Sequence, residues 1–161
     1  MTHPIIRIHV RDFGTMTAEL YPEKAPKTVA TFLALIEDGF FEGLIFHRII
    51  KGFMIQGGGY TEDMEHKDAE SIRGEFKANG FMQNDLKHTR GVLSMARTQD
   101  PDSASSQFFV MHMDAPHLDA QYAGFGKVVE GMDVVDRVAS VRTNFSDRPL
   151  EPVVIEKMYL A

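Results

Sequence analysis

The chain has 161 residues, 43% hydrophobic and 25% charged, with 17 Lys+Arg against 23 Asp+Glu for a net charge of −6. That length fits one domain able to bury about 70% of its unfolded surface without a disulfide or metal staple, and the composition excludes an intrinsically disordered chain. The acidic balance argues against nucleic acid and anionic membranes as partners, and the absence of cysteine excludes a thiolate nucleophile, a thiol redox pair and every Cys-containing zinc site.

Met1-Thr2-His3-Pro4 leads into alternating Ile and Arg rather than a basic region and an apolar stretch. No secretory signal is therefore expected, and the location expected is cytoplasmic. No apolar run approaches the ~20 residues that span a bilayer. Ile6, Ile8 and Val10 alternate with Arg7, His9 and Arg11, the period of a half-buried strand. Asp12-Phe13-Gly14 supplies a turn, and residues 15–20 the returning strand. Pro26 then suits a first helical turn, and Val29, Phe32, Leu33 and Ile36 form one stripe at i, i+3, i+4, i+7. Gly39 stands where a left-handed residue would end that helix.

Short apolar runs follow at 44–50, 53–55, 91–95, 108–111 and 123–129, with a last one at 153–160. Residues 60–87 are polar and weakly periodic, and read as a long surface loop with at most one short element. A second helix is expected over about 132–140, its stripe Val134, Val135, Val138 and Val141. Asp133 near its start and Arg137 and Arg142 near its end complement the helix dipole. Many short strands with two helices predict a mostly antiparallel sheet closed into a barrel. With neither a linker nor a repeat, the expected organisation is one domain over 1–161.

The informative stretch is Phe46-His47-Arg48-Ile49-Ile50-Lys51-Gly52-Phe53-Met54-Ile55-Gln56-Gly57-Gly58. An arginine inside an apolar strand run is costly unless its guanidinium finds acceptors or reaches solvent. A lone Arg48 is most simply an outward-facing charge. Gln56 can accept from that guanidinium, however, while Phe53 and Met54 offer an apolar wall. In Ser105-Ser106-Gln107-Phe108-Phe109-Val110-Met111, alternation puts Gln107, Phe109 and Met111 on one strand face and Phe108 and Val110 on the other. Taken alone, Phe-Phe reads as core.

Together with Gly91-Val92-Leu93-Ser94-Met95-Ala96 and Phe125-Gly126-Lys127-Val128, these stretches resemble the cyclophilin family of peptidyl-prolyl cis–trans isomerases, and most closely its short bacterial members. The resemblance runs from Leu20-Tyr21-Pro22 and Ala25-Pro26-Lys27-Thr28-Val29 through Gly131-Met132-Asp133-Val134-Val135 to the closing strand. It implies a closed eight-stranded antiparallel barrel capped by two helices, with substrate in a groove on the outer face. Arg48 matches the family's catalytic arginine and Gln56 its orienting glutamine. Phe53, Met54, Phe109 and Leu118 match the pocket for the substrate proline. Ala96, Arg97, Thr98 and Gln107 match the neighbouring peptide-binding wall.

Some positions depart from the family pattern. His117 stands where many members carry tryptophan, which implies reduced affinity for cyclosporin-type ligands. Tyr122 replaces a frequent histidine and keeps an aromatic with a hydrogen-bonding tip. Arg97 replaces a common asparagine at a position the family uses through its backbone. Lys51 takes the place of a usual proline, and Gly59 of a usual aspartate. Lys51 and Arg97 are read as solvated surface charges.

The implied partners are proline-containing peptides and folding proteins, and the chain is expected to act as a monomer. No cofactor and no metal are expected, since the seven histidines are scattered without ligand spacing. His112 and His117 flank a turn containing Asp114 that a surface loop explains. Ser105-Ser106 lacks a nucleophile-elbow surround, and Gly57-Gly58-Gly59 is followed by no G-K-[ST]. Those glycines are read instead as letting a substrate backbone approach closely. Two function classes compete: an isomerase, and a module that binds proline segments without turnover. A barrel carrying a small apolar ligand is a weaker third. Arg48 with Gln56 favours the isomerase, because simple binding needs no aligned guanidinium.

Overall fold

The computed structural model describes residues 3–161, so the part of the N-terminal reading that falls on Met1 and Thr2 lies outside the described residues. The chain opens with a hairpin, β1 (Ile5–Val10) and β2 (Gly14–Leu20), in the expected place. Ile6, Ile8 and Val10 are fully buried, as are Met16, Ala18 and Leu20 across the ladder, where Ile8 faces Met16. Asp12 and Gly14 adopt φ of +69° and +120° to make the tight turn.

Helix α1 (Pro26–Glu37) begins on its proline and buries Val29, Phe32 and Ile36. Gly39, at φ +68°, ends it by donating its N–H to the Ile36 carbonyl at 3.0 Å. Strands β3 (Arg48–Ile50) and β4 (Met54–Gly57) form a second hairpin. They are followed by β5 (Val92–Met95), β6 (Phe108–Met111) and β7 (Gly124–Glu130). Helix α2 (Met132–Ala139) and β8 (Ile155–Leu160) complete the chain.

The strands form one antiparallel sheet in the order β3-β4-β6-β5-β7-β2-β1-β8. The expected closed barrel is corrected here: the sheet curls into a half-barrel whose outer strands, β3 and β8, do not pair. A single bridge, Ile45 to Val154, spans the seam. Hydrogen bonds from Gly43 N to Ile155 O (2.8 Å), Ile155 N to Leu44 O (2.7 Å) and Phe46 N to Val153 O (2.9 Å) lace it. The apolar run at 44–50 thus divides, its first part serving the seam and only its last three residues forming a strand.

A cluster of aromatic side chains fills the inside, with Phe32 4.9 Å from both Phe41 and Phe125 and 5.3 Å from Phe108 between ring centroids. A second, smaller apolar cluster of Met54, Val92, Phe109, Met111, Ala115 and Leu118 lies apart from it. Strand β6 feeds both, since Phe108 and Val110 join the first and Phe109 and Met111 the second. Phe-Phe is therefore half core and half outer face, as period-two alternation requires.

Residues 60–87 contain one short element, a 3-10 turn at Lys77–Asn79. They are more than a surface loop, because Glu75, Phe76 and Asn84 are buried. The Glu75 carboxylate accepts from Thr28 N (2.7 Å), Thr28 Oγ1 (2.8 Å) and Lys27 N (3.3 Å). It thereby caps the first turn of α1, where Ala25 has no capping side chain. Among the described residues no helix is long and apolar enough to cross a membrane.

Candidate active site

Residues directly opposite in an antiparallel pair share a face, and the β3–β4 register sets Arg48 opposite Gln56. Arg48 is exposed, and its Nη1 donates to Gln56 Oε1 at 3.4 Å, a long bond that restrains the guanidinium without fixing it rigidly. Gln56 is better held, since its Nε2 donates to Gln107 Oε1 at 3.0 Å. The order Gln107, Gln56, Arg48 is therefore a relay of amides that ends on a cation.

Gly59 makes room for this relay, because a Cβ there would lie 2.5 Å from the Gln107 side chain. Added Cβ atoms on Gly57 and Gly58 would meet Ile45 O at 2.6 Å and Ser106 O at 2.9 Å. The three glycines thus admit neighbouring segments of their own chain, which corrects their reading as an approach for a substrate backbone.

Beside Arg48 lies a pocket of about 120 Å³ walled by Phe53, Met54, Phe109, Leu118 and Tyr122, with Gln56, Ala96 and Arg97 at its margin. Every residue that lines it was named from the sequence. Cavities for drug-sized ligands run ~300–1,000 Å³, so this one suits a single side chain. Phe109 faces Gln56 across β4–β6, meets Tyr122 edge-on at 5.8 Å, and stacks on His88 at 6.0 Å.

His88, which nothing in the sequence singled out, is buried with Nε2 2.7 Å from Ser94 Oγ and Nδ1 3.3 Å from Asp119. Burial lowers its pKa against the opposing pull of Asp119, so it stays neutral behind the pocket wall.

Three named residues lie outside the pocket. Thr98 and Gln107 line an adjoining polar groove of about 270 Å³ that Gln56, Ala96 and Arg97 also border. Exposed His117 sits at the rim, its ring 5.7 Å from that of Phe53. Lys51 is exposed, as expected of a solvated charge. Arg97 differs: its side chain turns back onto Tyr122 and Phe76.

The His112 region is no simple surface loop. His112 is buried, and its Nδ1 accepts from Gly52 N at 2.8 Å while Nε2 lies 3.1 Å from Asp136. Asp136 in turn pairs with Arg90 through two bonds of 2.7 and 2.8 Å, which hold its carboxyl below the usual range. The turn that carries Phe53 is therefore braced against α2. Among the described residues no group of three or more His, Cys, Asp or Glu is placed to hold a metal ion.

A family model described as cyclophilin type peptidyl-prolyl cis-trans isomerase/CLD matches residues 5–160. A peptidyl-prolyl cis-trans isomerase of Acinetobacter baylyi is 44% identical over 154 residues, covering 89% of this chain and 79% of its own. Peptidyl-prolyl cis-trans isomerase B of Escherichia coli is 44% identical over 158 residues, covering 90% and 93%. Among solved structures, a cyclophilin type isomerase of Cryptosporidium parvum is similar with a TM-score of 0.87 at 29% identity, over 99% of this chain and 98% of that one. The same protein, solved in the presence of the dipeptide Ala-Pro, gives 0.85 at 30% identity over 98% of both chains.

Proposed function

The chain belongs to the cyclophilin-type peptidyl-prolyl cis–trans isomerase family, and from that premise we propose that it speeds rotation about X–Pro bonds in proline-containing protein segments. The observation that carries the reading is Arg48, restrained by Gln56 beside an apolar pocket sized for one ring. The Ala-Pro dipeptide present with the Cryptosporidium parvum relative supports the same substrate class.

Rotation about an X–Pro amide faces a barrier of ~18–20 kcal/mol, while its two ground states differ by only ~0.5–1 kcal/mol. A catalyst therefore needs only to bind the twisted form better than the planar one. On twisting, the C–N bond loses double-bond character and the prolyl nitrogen gains a localised lone pair. The Arg48 guanidinium donates to that nitrogen, while the walls of Phe53, Met54, Phe109 and Leu118 clamp the ring. The Arg97 backbone N–H, which has no protein acceptor among the described residues, holds a substrate carbonyl. No proton is transferred and no covalent bond to the protein forms. Arginine suits this role because its planar fork can be aimed by one amide oxygen, as an ammonium cannot.

A protease-coupled assay on a short X–Pro peptide tests this. Arg48→Ala should lower kcat/KM by ~100-fold, the scale of removing one preorganised donor, with peptide affinity little changed. Equal activities would retire the mechanism, and peptide binding without turnover by the native chain would leave a binding module. Cyclosporin added to the same assay should inhibit only weakly, since exposed His117 offers less apolar surface than tryptophan.

A further inference from the structure

The Arg97 side chain, at the margin of the pocket, folds back onto the protein. Its guanidinium carbon lies 4.7 Å from the Tyr122 ring centroid and 4.9 Å from that of Phe76, both within cation–π range. Its Nε and Nη2 donate to the Gln121 carbonyl at 3.2 and 2.8 Å, and Nη1 donates to the Thr98 carbonyl at 2.9 Å. No carboxylate pairs with it among the described residues. Two aromatic rings and two backbone carbonyls therefore satisfy the charge.

Three distant parts of the chain meet at this side chain. Phe76 belongs to the buried part of the 60–87 loop and packs in the main core. Tyr122 walls the pocket, with Phe109 and His88 as its other aromatic neighbours. Arg97, with Ala96 and Gln56, borders both that pocket and the polar groove. The loop that carries Phe76 also donates from Ala78 N to the Ala120 carbonyl at 2.8 Å, two residues before Tyr122, with Ala120 at φ +66°. Only a planar fork can bond two carbonyls at once while contacting two rings; a lysine ammonium could satisfy one or two of these contacts.

We propose that the Arg97 side chain is a positioning residue, which ties Tyr122 to the core through Phe76 and so fixes the pocket wall against which a substrate ring packs. The proposal rests on the reading that this pocket receives proline. Arg97 acts through Tyr122 and not on the rotating bond, so its loss should weaken capture of substrate more than turnover.

The test pairs kinetics with carbon-13 tyrosine NMR on Arg97→Ala and Arg97→Lys, the Tyr122 signals being assigned with Tyr122→Phe. Arg97→Ala should raise KM about fivefold, the scale of one exposed cation–π contact, with kcat changed less than twofold. The Tyr122 ring resonances should shift or broaden in both variants, and Arg97→Lys should recover less than half of the KM effect. Unmoved Tyr122 resonances would overturn the proposal, as would a loss confined to kcat or complete rescue by lysine. Should Arg97→Ala fail to fold, Arg97→Lys supplies both readouts. If the native chain turns over no X–Pro peptide, the functional reading fails, while the Tyr122 resonances still decide the positioning role.

Discussion

The hold on Arg48 is only as good as the two amides behind it. Gly59 is the lever for testing them, because a methyl group there strikes the Gln107 side chain rather than the backbone. Gly59→Ala should swing Gln107 away, free Gln56 Nε2 and lower kcat/KM by about fivefold, the order of one hydrogen bond. The melting temperature should change little. A displaced Gln107 with an unchanged rate would show that the relay does not aim the guanidinium. The Arg48–Gln56 pair was legible in the sequence from the residue types and the family resemblance, while the hairpin register that sets the two opposite each other was not. The Gly59–Gln107 contact was not, since it joins segments that no local pattern relates. Nor did a lone Arg97 reveal that its charge would be satisfied by rings and carbonyls instead of water.

At the scale of elements, α1 is built from a signal the sequence displays and a cap it conceals. Its apolar stripe and its start at Pro26 follow from local spacing, and the structure has both. The group that satisfies its first N–H donors is Glu75, which belongs to a segment that reads as polar loop. A carboxylate buried at a helix N-terminus accepts hydrogen bonds and complements the dipole together. Glu75→Ala should cost about 2 kcal/mol, because Thr28 N–H and its hydroxyl would be left buried without a partner. Glu75→Gln should cost less, keeping an acceptor but losing the charge. Urea unfolding measures both, and equal stability of all three chains would show that the cap contributes nothing. The brace from Gly52 through His112 to Asp136 was equally hidden, for its members come from a turn, the end of a strand and a helix.

For the whole molecule, three histidines contribute to how stability follows pH just below neutrality. His47 is partly buried, 4.6 Å from the Tyr60 ring, and its Nδ1 is buried without a hydrogen-bond partner. Burial first, and then the charges of Arg48 and His66, lower its pKa to about 4. The unfolded chain binds this proton near pH 6.5 and the folded one refuses it until about pH 4, so stability falls as pH drops through that window. The cost is at most about 3 kcal/mol. Buried His88 acts in the same direction. His3 opposes them, since Glu19 and Glu23 raise its pKa and its contribution is present in acid and lost as pH rises through its folded value. The urea midpoint should therefore fall from pH 7 to pH 5, and His47→Leu should remove much of that fall; an unchanged slope would assign it to other groups.

The mostly antiparallel sheet followed from the strand pattern and its eight strands from the family resemblance, whereas the seam between β3 and β8 did not. Whether outer strands meet depends on how a few residues near positions 43–47 and 153–155 turn, which no periodicity records. That seam puts Arg48 at the margin of the sheet. Strand β3 is three residues long, pairs only with β4, and on its outer side has Ile49 N–H bonded to the Asp147 carbonyl at 2.8 Å. Strand β3 thus has a strand neighbour on one side and a lone tether on the other, and on heating Arg48 should come adrift before the rest of the sheet gives way.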